Sequence, residues 1–207
     1  MPEELKIEKP RADLYTGKRK LYCISLLYSE PEAPPEYLEL IEHYWTQVEE
    51  QITKLEKVGR VSTIYHEAIY SAGDEGLNEI KKLNEKSYTL VKQKCEEGAA
   101  LESLEDKELF YEFIDWRRCM LLPFNSRNAL TKVLEFYKAA SSKRYDYVAK
   151  RIDETLKEGD AGMLIMNEED RSTIPFPQDI ELFIVHPPAL TDIQRWVREQ
   201  LRSEEEG

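Results

Sequence analysis

Polar side chains with the chemistry to hold a cation follow the predicted strands. They are Glu30, Asp74, Asn167, Glu168, Asp170 and His186. Ligands of an open α/β sheet collect beyond the carboxyl ends of parallel strands, where these residues would lie. Carboxylates with one imidazole suit a divalent cation or a cationic ligand better than a phosphate group. Solvated carboxylates in ordinary loops would give the same pattern, and the sequence favours that second interpretation.

Two arginines beside a tryptophan form another candidate binding feature. Arg117 and Arg118 follow Trp116, and their guanidinium groups could bind an anion or stack on a base. The alternative is that they form ion pairs with the nearby acids Glu112 and Asp115. Ion pairing is the more common arrangement, so the sequence favours it.

Motifs for several common kinds of catalysis are missing from the sequence. There is no Gly-x-x-x-x-Gly-Lys-Ser/Thr phosphate loop, no Gly-x-Gly-x-x-Gly turn and no Gly-x-Ser-x-Gly elbow. No His-x-x-x-His pair, cysteine cluster or EF-hand loop indicates a metal site. Cys23 and His66 would form a nucleophile–base pair only if the first two strands were neighbours.

The apolar pattern predicts the elements that must position these residues. Nearly continuous β-branched and aromatic runs predict strands at residues 21–28, 61–70, 161–166 and 180–186. Helical spacing predicts helices at residues 35–58, 74–97, 104–122 and 127–158, and a last helix from Thr191. Asp74 is the predicted N-cap of the second helix. The order indicates an α/β or α+β fold, with about four strands flanked by helices and a long helical segment between strands two and three.

The same pattern predicts how the chain is divided. We expect a flexible arm at residues 1–18, a single α/β domain at residues 19–203 and an acidic tail at residues 204–207. Within the domain, the helical residues 74–158 could form a partly separate subdomain.

One predicted helix carries a regular apolar seam. Its members step by three or four residues and are Leu38, Ile41, Trp45, Val48, Ile52 and Leu55. This spacing is typical of a coiled-coil contact with a second copy and of one long helix lying on a sheet. The seam is shorter than most coiled coils, which favours the sheet. The functional hypothesis nevertheless uses this helix for self-association.

The chain is strongly acidic, with 41 acidic and 29 basic residues and a net charge of −12. Because neutralised phosphates supply most nucleic-acid affinity, no general nucleic-acid binding is expected. One basic stretch is interpreted as a solvated helix face. It contains Lys138, Lys143, Arg144, Lys150 and Arg151.

Cysteine usage and hydropathy predict a cytoplasmic protein without membrane contact. The three cysteines, Cys23, Cys95 and Cys119, form no Cys-x-x-Cys motif and are expected to be reduced core residues. The first twenty residues contain no apolar run typical of a signal peptide. No stretch approaches the roughly 18 apolar residues needed to span a bilayer.

Two stretches resemble known families. Residues 97–109 and 147–180, with the strand-then-helix opening, resemble a family of uncharacterised prokaryotic α/β proteins, which implies no particular activity. The helix–glycine–strand–proline–strand unit in residues 147–180 resembles the C-terminal domain of archaeal and eukaryotic peptide-chain release factors. The Gly-Gly-Gln signature of release-factor hydrolysis is absent, so the resemblance implies at most a translation-linked role.

Three functional hypotheses follow from these observations. The main one is a non-enzymatic interaction or regulatory domain that acts as a homodimer, because catalytic motifs are missing and a helix carries an apolar seam. The second is an enzyme that uses a small molecule or a divalent metal at the strand ends. The third is the translation-linked factor.

Overall fold

The computed structural model describes residues 17–29 and 32–205. The candidate Glu30, most of the predicted arm and the end of the predicted tail lie outside the described residues. The strands are β1 (Arg19–Ser25), β2 (Val61–His66), β3 (Ala100–Leu101), β4 (Ala161–Met166) and β5 (Ile180–Val185). The helices are α1 (Pro35–Leu55), α2 (Gly73–Leu83), α3 (Glu85–Glu96), α4 (Lys107–Met120), α5 (Arg127–Thr155), α6 (Glu168–Ser172) and α7 (Pro188–Glu205). Among the described residues, no helix has the length and apolarity needed to cross a membrane.

All strand pairs run parallel, in the order β3-β2-β4-β1-β5. Cys23 of β1 lies opposite Leu164 of β4 and Ile184 of β5, so β1 has a neighbour on each side. The parallel sheet flanked by helices confirms the predicted α/β class. The inner strands β1 and β4 are buried along almost their whole length, because helices cover both faces.

Helices on the two faces of the sheet enclose two hydrophobic cores. On the first face, α1, α2, α3 and α7 pack over Tyr22 and Ile24 of β1. On the second face, α4 and α5 pack over Leu21 and Cys23 of the same strand. Successive side chains of a strand point to opposite faces, so one apolar strand contributes to both cores.

The connections between the strands all have the same hand. The chain moves toward β3 over the first face, through α1 and then through α2 and α3. It then returns over the second face, from β3 through α4 and α5 to β4, and from β4 past Ile174 to β5. The chain therefore leaves β4 on the second face and leaves its neighbours β2 and β1 on the first. Such reversals open crevices at the carboxyl end of β4, where ligands of α/β sheets bind.

The structure differs from the predicted elements where a segment is short or contains a cap. β3 adds a fifth strand and interrupts the predicted helical segment, because two residues are too few to show an apolar pattern. The predicted helix at residues 74–97 breaks at Asn84. The Asn84 backbone is extended, and the Asn84 side chain accepts a hydrogen bond from the Ser87 amide, which caps α3. The five-residue α6 was likewise not predicted.

Two predicted helix starts are wrong by one to three residues. Asp74 lies in the first turn of α2 behind Gly73, and the residue before the helix is Ala72. Thr191 lies inside α7, which begins at Pro188. Proline suits a first helical position because the amide hydrogen that it lacks would have no partner there. A carboxylate in the first turn still interacts favourably with the helix dipole.

The apolar seam of α1 packs on the sheet of its own chain. Ile41, Val48 and Ile52 are at most 1% exposed, and Trp45 is 7% exposed. These side chains belong to the core on the first face. Packing on a sheet is therefore the correct interpretation of the seam. A contact with a second copy would have to use the outward face of α1.

Replacement of Ile52 by alanine tests the role of the seam. We expect Ile52→Ala to lower the free energy of unfolding by about 2–5 kcal/mol, because the deletion leaves a cavity between α1 and the sheet. Urea titration followed by circular dichroism measures this change. The matched control is Glu49→Ala on the exposed face of the same helix, which should change stability by less than about 0.5 kcal/mol. Equal effects of the two variants would contradict this placement of the seam.

Candidate functional site

Four charged side chains meet at the carboxyl end of the sheet with almost no solvent contact. They form the ion cluster, which consists of Glu67, Glu105, Arg144 and Asp170, each at most 6% exposed. Glu67 follows β2, Glu105 follows β3, Asp170 follows β4, and Arg144 comes from α5. Buried charges therefore join the ends of three strands to a helix on the second face.

Arg144 is the centre of the ion cluster. Its Nη1 donates to Asp170 Oδ2 at 2.8 Å, and its Nη2 donates to Glu67 Oε1 at 2.9 Å. Nη2 and Nε also donate to Glu105, at 2.6 Å and 3.1 Å respectively. The guanidinium carbon lies 4.5 Å from the ring centre of Phe113. Three carboxylates and an aromatic face thus replace the water that an exposed arginine would bind.

Among the described residues, the cluster contains more carboxylates than cations. Arg117 Nη1 lies 3.6 Å from Asp170 Oδ2, which gives two cations for three carboxylates in this part of the chain. Burial raises the pKa of Glu67 to about 7, although the charge of Arg144 opposes this rise. Burial also acts to raise the pKa of Asp170, but Arg144 more than offsets it and holds that pKa below its usual value. Glu67 therefore keeps a proton part of the time near neutral pH, which brings the cluster close to charge balance.

The segments after β2 and β4 place their carboxylates by tight local turns. Ala68 follows Glu67 with a φ of 62°, a conformation that residues other than glycine adopt infrequently. Glu67 Oε2 accepts a hydrogen bond from the Asn167 amide at 2.9 Å. The Asn167 side chain in turn accepts from the Glu169 amide at 2.9 Å and caps the short helix that carries Asp170.

An aromatic cleft of about 800 Å³ lies beside the ion cluster. Phe110 lines this cleft and also lies 4.9 Å, ring centre to guanidinium carbon, from Arg144. The rings of Tyr70 and Phe110 meet edge to face with their centres 5.8 Å apart. The wall of the aromatic cleft also contains Tyr28, Ala68, Tyr111, Lys107 and Arg118. Its volume and apolar lining are typical of small-molecule sites.

A second cleft, of about 630 Å³, lies between α6 and α7 at the carboxyl end of β1. We term it the α6–α7 cleft. Its lining includes Ser25, Leu26, Arg117, Asn167, Ile193 and Arg198. Because Arg117 also contacts Asp170, this cleft adjoins the ion cluster from the other side. A third cleft, of about 500 Å³, lies at the amino end of the sheet, where Arg19 is already paired with Asp153 and Asp179.

The structure brings together four of the residues predicted from the sequence. Asn167, Asp170 and Arg117 meet at the ion cluster, and Glu168 lines the α6–α7 cleft with Arg117. The predicted ion pairs of the two arginines are half right. Arg118 pairs with Asp115 at 3.5 Å, whereas Arg117 pairs with Asp170.

Other predicted residues lie apart from the cluster. Asp74 is exposed at the start of α2. Burial raises the pKa of Cys95, and the charge of Asp74 adds to this rise. His186 is exposed and its Nε2 lies 3.3 Å from Thr191 Oγ1. Arg118 lines the aromatic cleft, and Arg117 is the arginine that contacts Asp170. Among residues 17–29 and 32–205, no group of three or more histidine, cysteine or acidic residues is arranged to hold a metal ion.

Cys23 and His66 do not form the pair that the sequence allowed, because β4 lies between β1 and β2. His66 Nδ1 lies 2.7 Å from the Glu67 carbonyl oxygen, and His66 Nε2 lies 2.9 Å from Ser87 Oγ. Since a carbonyl only accepts, Nδ1 carries the proton and Ser87 donates to Nε2. Burial lowers the pKa of His66 to about 4. Neither His66 nor Ser87 has exposed surface, so this pair joins β2 to α3 and meets no substrate.

The central residue of the site is not among the candidates that the sequence pattern indicates. The pattern predicts Arg144 on a solvated helix face, but Arg144 is 1% exposed. The signal lay in the spacing, because Ala140, Arg144, Val148 and Ile152 recur every fourth residue and occupy one buried face of α5. Glu67 and Glu105 gave no such signal.

Comparisons with known proteins assign this chain to no family. No protein-family model, no curated protein and no solved structure matches the chain. The resemblances to the prokaryotic α/β family and to the release factors therefore stay expectations from the sequence.

Removal of the central cation tests the ion cluster. We expect Arg144→Met to lower the free energy of unfolding by about 3–5 kcal/mol, because it leaves three carboxylates without their partner. Denaturant unfolding measures the change. The control is Lys143→Met, the exposed neighbour on the same helix, which should cost less than about 0.5 kcal/mol. If the two variants unfolded alike, the cluster would not hold the strand ends together.

The proton on Glu67 predicts a dependence of stability on pH. The folded state binds this proton more tightly than the unfolded state does, since the folded pKa is raised to about 7. The stabilisation of the folded state by this proton is complete below the ordinary pKa of glutamate. It is lost as the pH rises through 7, and the loss is on the order of 3 kcal/mol. We expect Glu67→Gln to become more stable relative to the unmodified protein between about pH 5 and pH 8. Urea titrations at both pH values measure this difference.

The exposed Glu168→Gln serves as the control for this comparison. Its stability should follow that of the unmodified protein at both pH values, because its side chain stays in water. A Glu67→Gln variant with the same pH dependence as the control would show that Glu67 ionises normally in the folded protein.

Proposed function

We propose that this protein is a non-enzymatic regulatory domain that acts as a homodimer, with the hairpin of α4 and α5 as its contact element. The observation that carries the proposal is the ion cluster, which connects this hairpin to the strand ends. Arg144 of α5 and Arg117 of α4 both contact Asp170, which follows β4. A ligand that displaced the strand-end residues would therefore bias the position of both helices.

The outer part of the hairpin has the properties of a contact surface. We define the hairpin tip as residues 117–136, none of which is buried. Three of its large apolar side chains are strongly exposed, with Leu121 at 82%, Leu122 at 60% and Phe136 at 48%. Exposed apolar residues concentrated in one segment are typical of protein interaction sites.

The charge of the hairpin tip favours a second copy of this chain as its partner. The tip has four basic and one acidic side chains and thus a net charge of +3, whereas the whole chain has −12. Of the four basic residues, Arg117 is paired with Asp170 and Arg118 with Asp115, both outside the tip, which leaves Arg127 and Lys132 toward the end of the hairpin. The outward face of α1 is exposed and acidic, with Glu36, Glu39 and Glu50. A twofold dimer would place the tip of each copy against α1 of the other and pair opposite charges twice.

An enzyme that uses Glu67 as acid or base is the second candidate function. The pKa of Glu67 is raised to about 7 by burial, which is a common property of catalytic carboxyls. Both of its oxygens, however, accept hydrogen bonds, from Arg144 and from the Asn167 amide. This engagement favours the structural role over the catalytic one.

Sedimentation velocity of the full chain tests the proposed dimer. We expect a dimer at low salt that weakens toward about 0.5 M salt, because salt screens the charge pairs between copies. The double variant Leu121→Asp/Leu122→Asp should weaken the dimer at least about tenfold, since each buried leucine contributes about 1.5–3 kcal/mol. Glu39→Lys should weaken it as well, through the partner surface on α1.

The control is Leu201→Asp, which changes a leucine on α7 that is 57% exposed, close to the 60% of Leu122. It should leave the dimer intact. A monomer at all concentrations would exclude the dimer, and equal weakening by Leu201→Asp would exclude the hairpin tip as the contact. If the hairpin tip bound a labelled DNA or RNA duplex in place of a second copy, the proposed partner would be wrong.

A further inference from the structure

The aromatic cleft lies between helices of the two faces, at the carboxyl end of the sheet. One part of its lining comes from α2, which packs in the core on the first face, and another from α4, which packs in the core on the second. The segments that follow β1 and β2 contribute Tyr28 and Ala68. Because β4 lies between these two strands and leaves the sheet on the other face, the cleft is where α/β sheets bind ligands.

Three neighbouring rings form the apolar wall of this cleft, and they are Tyr70, Phe110 and Tyr111. The Tyr70 ring meets Tyr111 edge to face, with the ring centres 6.0 Å apart, as it meets Phe110. Tyr111 is 48% exposed, so this group of rings is open to a ligand. A flat aromatic ligand can pack on such a wall with the geometry that aromatic side chains use among themselves.

The acidic residues of the lining are already engaged. Glu79 accepts hydrogen bonds with both of its oxygens, from the Tyr70 amide at 3.0 Å and from the Ser71 hydroxyl at 2.9 Å. Asp115 Oδ1 lies 3.5 Å from Arg118 Nη1, which also lines the cleft. Neither carboxylate is therefore directed at the remaining cations.

Two lysines of the lining have no carboxylate of their own. Lys82 of α2 and Lys107 of α4 make no ion pair with the residues that the structure describes. Lys107 Nζ lies 5.7 Å from the ring centre of Tyr111, so one of these cations adjoins the aromatic wall. An acidic group in the cleft would meet positive charge from both helices, although the chain as a whole is acidic.

We propose that the aromatic cleft binds a flat aromatic anion, a carboxylate or a phosphate ester. Its ring lies against Phe110 and Tyr111, and its acidic group pairs with Lys107 and Lys82. Aromatic rings alone would also suit an organic cation, but the two lysines repel one. A cavity of about 800 Å³ accommodates a two-ring ligand of this kind. The inference names the input of the proposed regulatory domain and in that respect rests on the proposed function.

The ligand reaches the ion cluster through Phe110. This ring lines the cleft on one side and lies 4.9 Å from the Arg144 guanidinium carbon on the other. Ala68, also in the lining, directly follows Glu67 of the cluster. Occupation of the cleft and the position of α4 over the cluster are therefore linked through residues that touch both.

Calorimetric titration of the full chain with 2-naphthoate and 2-naphthyl phosphate tests this site. We expect at least one of them to bind, and the comparison between them identifies the acidic group. Neutral 2-naphthamide should bind at least about tenfold more weakly, because it lacks the charge that pairs with the lysines. Acetate and inorganic phosphate should also bind more weakly, since they lack the ring.

The positively charged 2-naphthylmethylamine tests the sign of the site. It should bind more weakly than the neutral amide, because the lysines repel it. Binding of this amine as tight as that of the anions would overturn the proposal. Failure of both naphthyl anions to bind the unmodified protein would overturn it as well.

Replacement of the two lysines identifies the cations responsible. Lys82→Met/Lys107→Met should weaken binding of the tighter anion at least about tenfold and leave binding of 2-naphthamide unchanged. Lys81→Met is the matched control, because Lys81 Nζ lies 5.6 Å from the ring centre of Tyr88 but does not line the cleft. It should change neither affinity. Anion binding to the double variant as tight as to the unmodified protein would overturn the proposal.

Replacement of the exposed ring tests the aromatic wall separately. Tyr111→Ala should weaken the anion and the neutral amide alike, by about three- to tenfold, because both lose the same ring contact. Phe136→Ala is the control, since Phe136 is also 48% exposed and lies outside the cleft. Equal weakening by both variants would show that exposed rings bind these ligands without a site.

A measurement on the unmodified protein locates the ligand directly. Backbone amide shifts on addition of the tighter anion should concentrate at residues 68–71, 79–83 and 107–118. Shifts spread over surface lysines elsewhere in the chain would overturn the site. The titration is repeated on Leu121→Asp/Leu122→Asp, so that failure of the dimer and failure of the anion site are separate results.

Discussion

The burial of the Arg144 guanidinium is the constraint on which the carboxyl end of the sheet depends, because a charge without water must be surrounded by opposite charges. Three carboxylates meet it, and they come from segments that follow three different strands. Each of these segments is therefore tied to α5 as well as to its own strand. The strained backbone of Ala68 and the Asn167 cap persist within this arrangement, since the surrounding contacts outweigh their local preferences.

Charge balance at the carboxyl end of the sheet limits which of its carboxylates could meet a cation. The strand-end carboxylates look available for a cation in the sequence, but those that are buried are already satisfied by Arg144 and Arg117. The carboxyl end of the sheet therefore contains an ionic network whose buried carboxylates already have cationic partners.

The long helix α5 joins two regions with different environments. At 29 residues it is about 43 Å long, and its buried residues begin only at Ala140. The half after Ala140 packs on the sheet and carries Arg144, whereas the half before it belongs largely to the exposed hairpin tip. A helix that contacts the ion cluster through its interior and an exposed apolar surface through its first turns gives a physical route between the strand ends and that surface.

The sequence by itself determined the α/β class, four of the strands and the long helices, because burial on one or both faces leaves a periodic apolar pattern. It also placed Asn167 and Asp170 among the candidates, since polar residues that follow buried strands lie at ligand-binding edges, and Arg117 because it follows a tryptophan. It could not show that β4 lies between β1 and β2, which excluded the Cys23–His66 pair. Nor could it show that Arg144 is enclosed by three carboxylates. Strand order and the pairing of buried charges join residues far apart in the chain, and only the tertiary structure decided them.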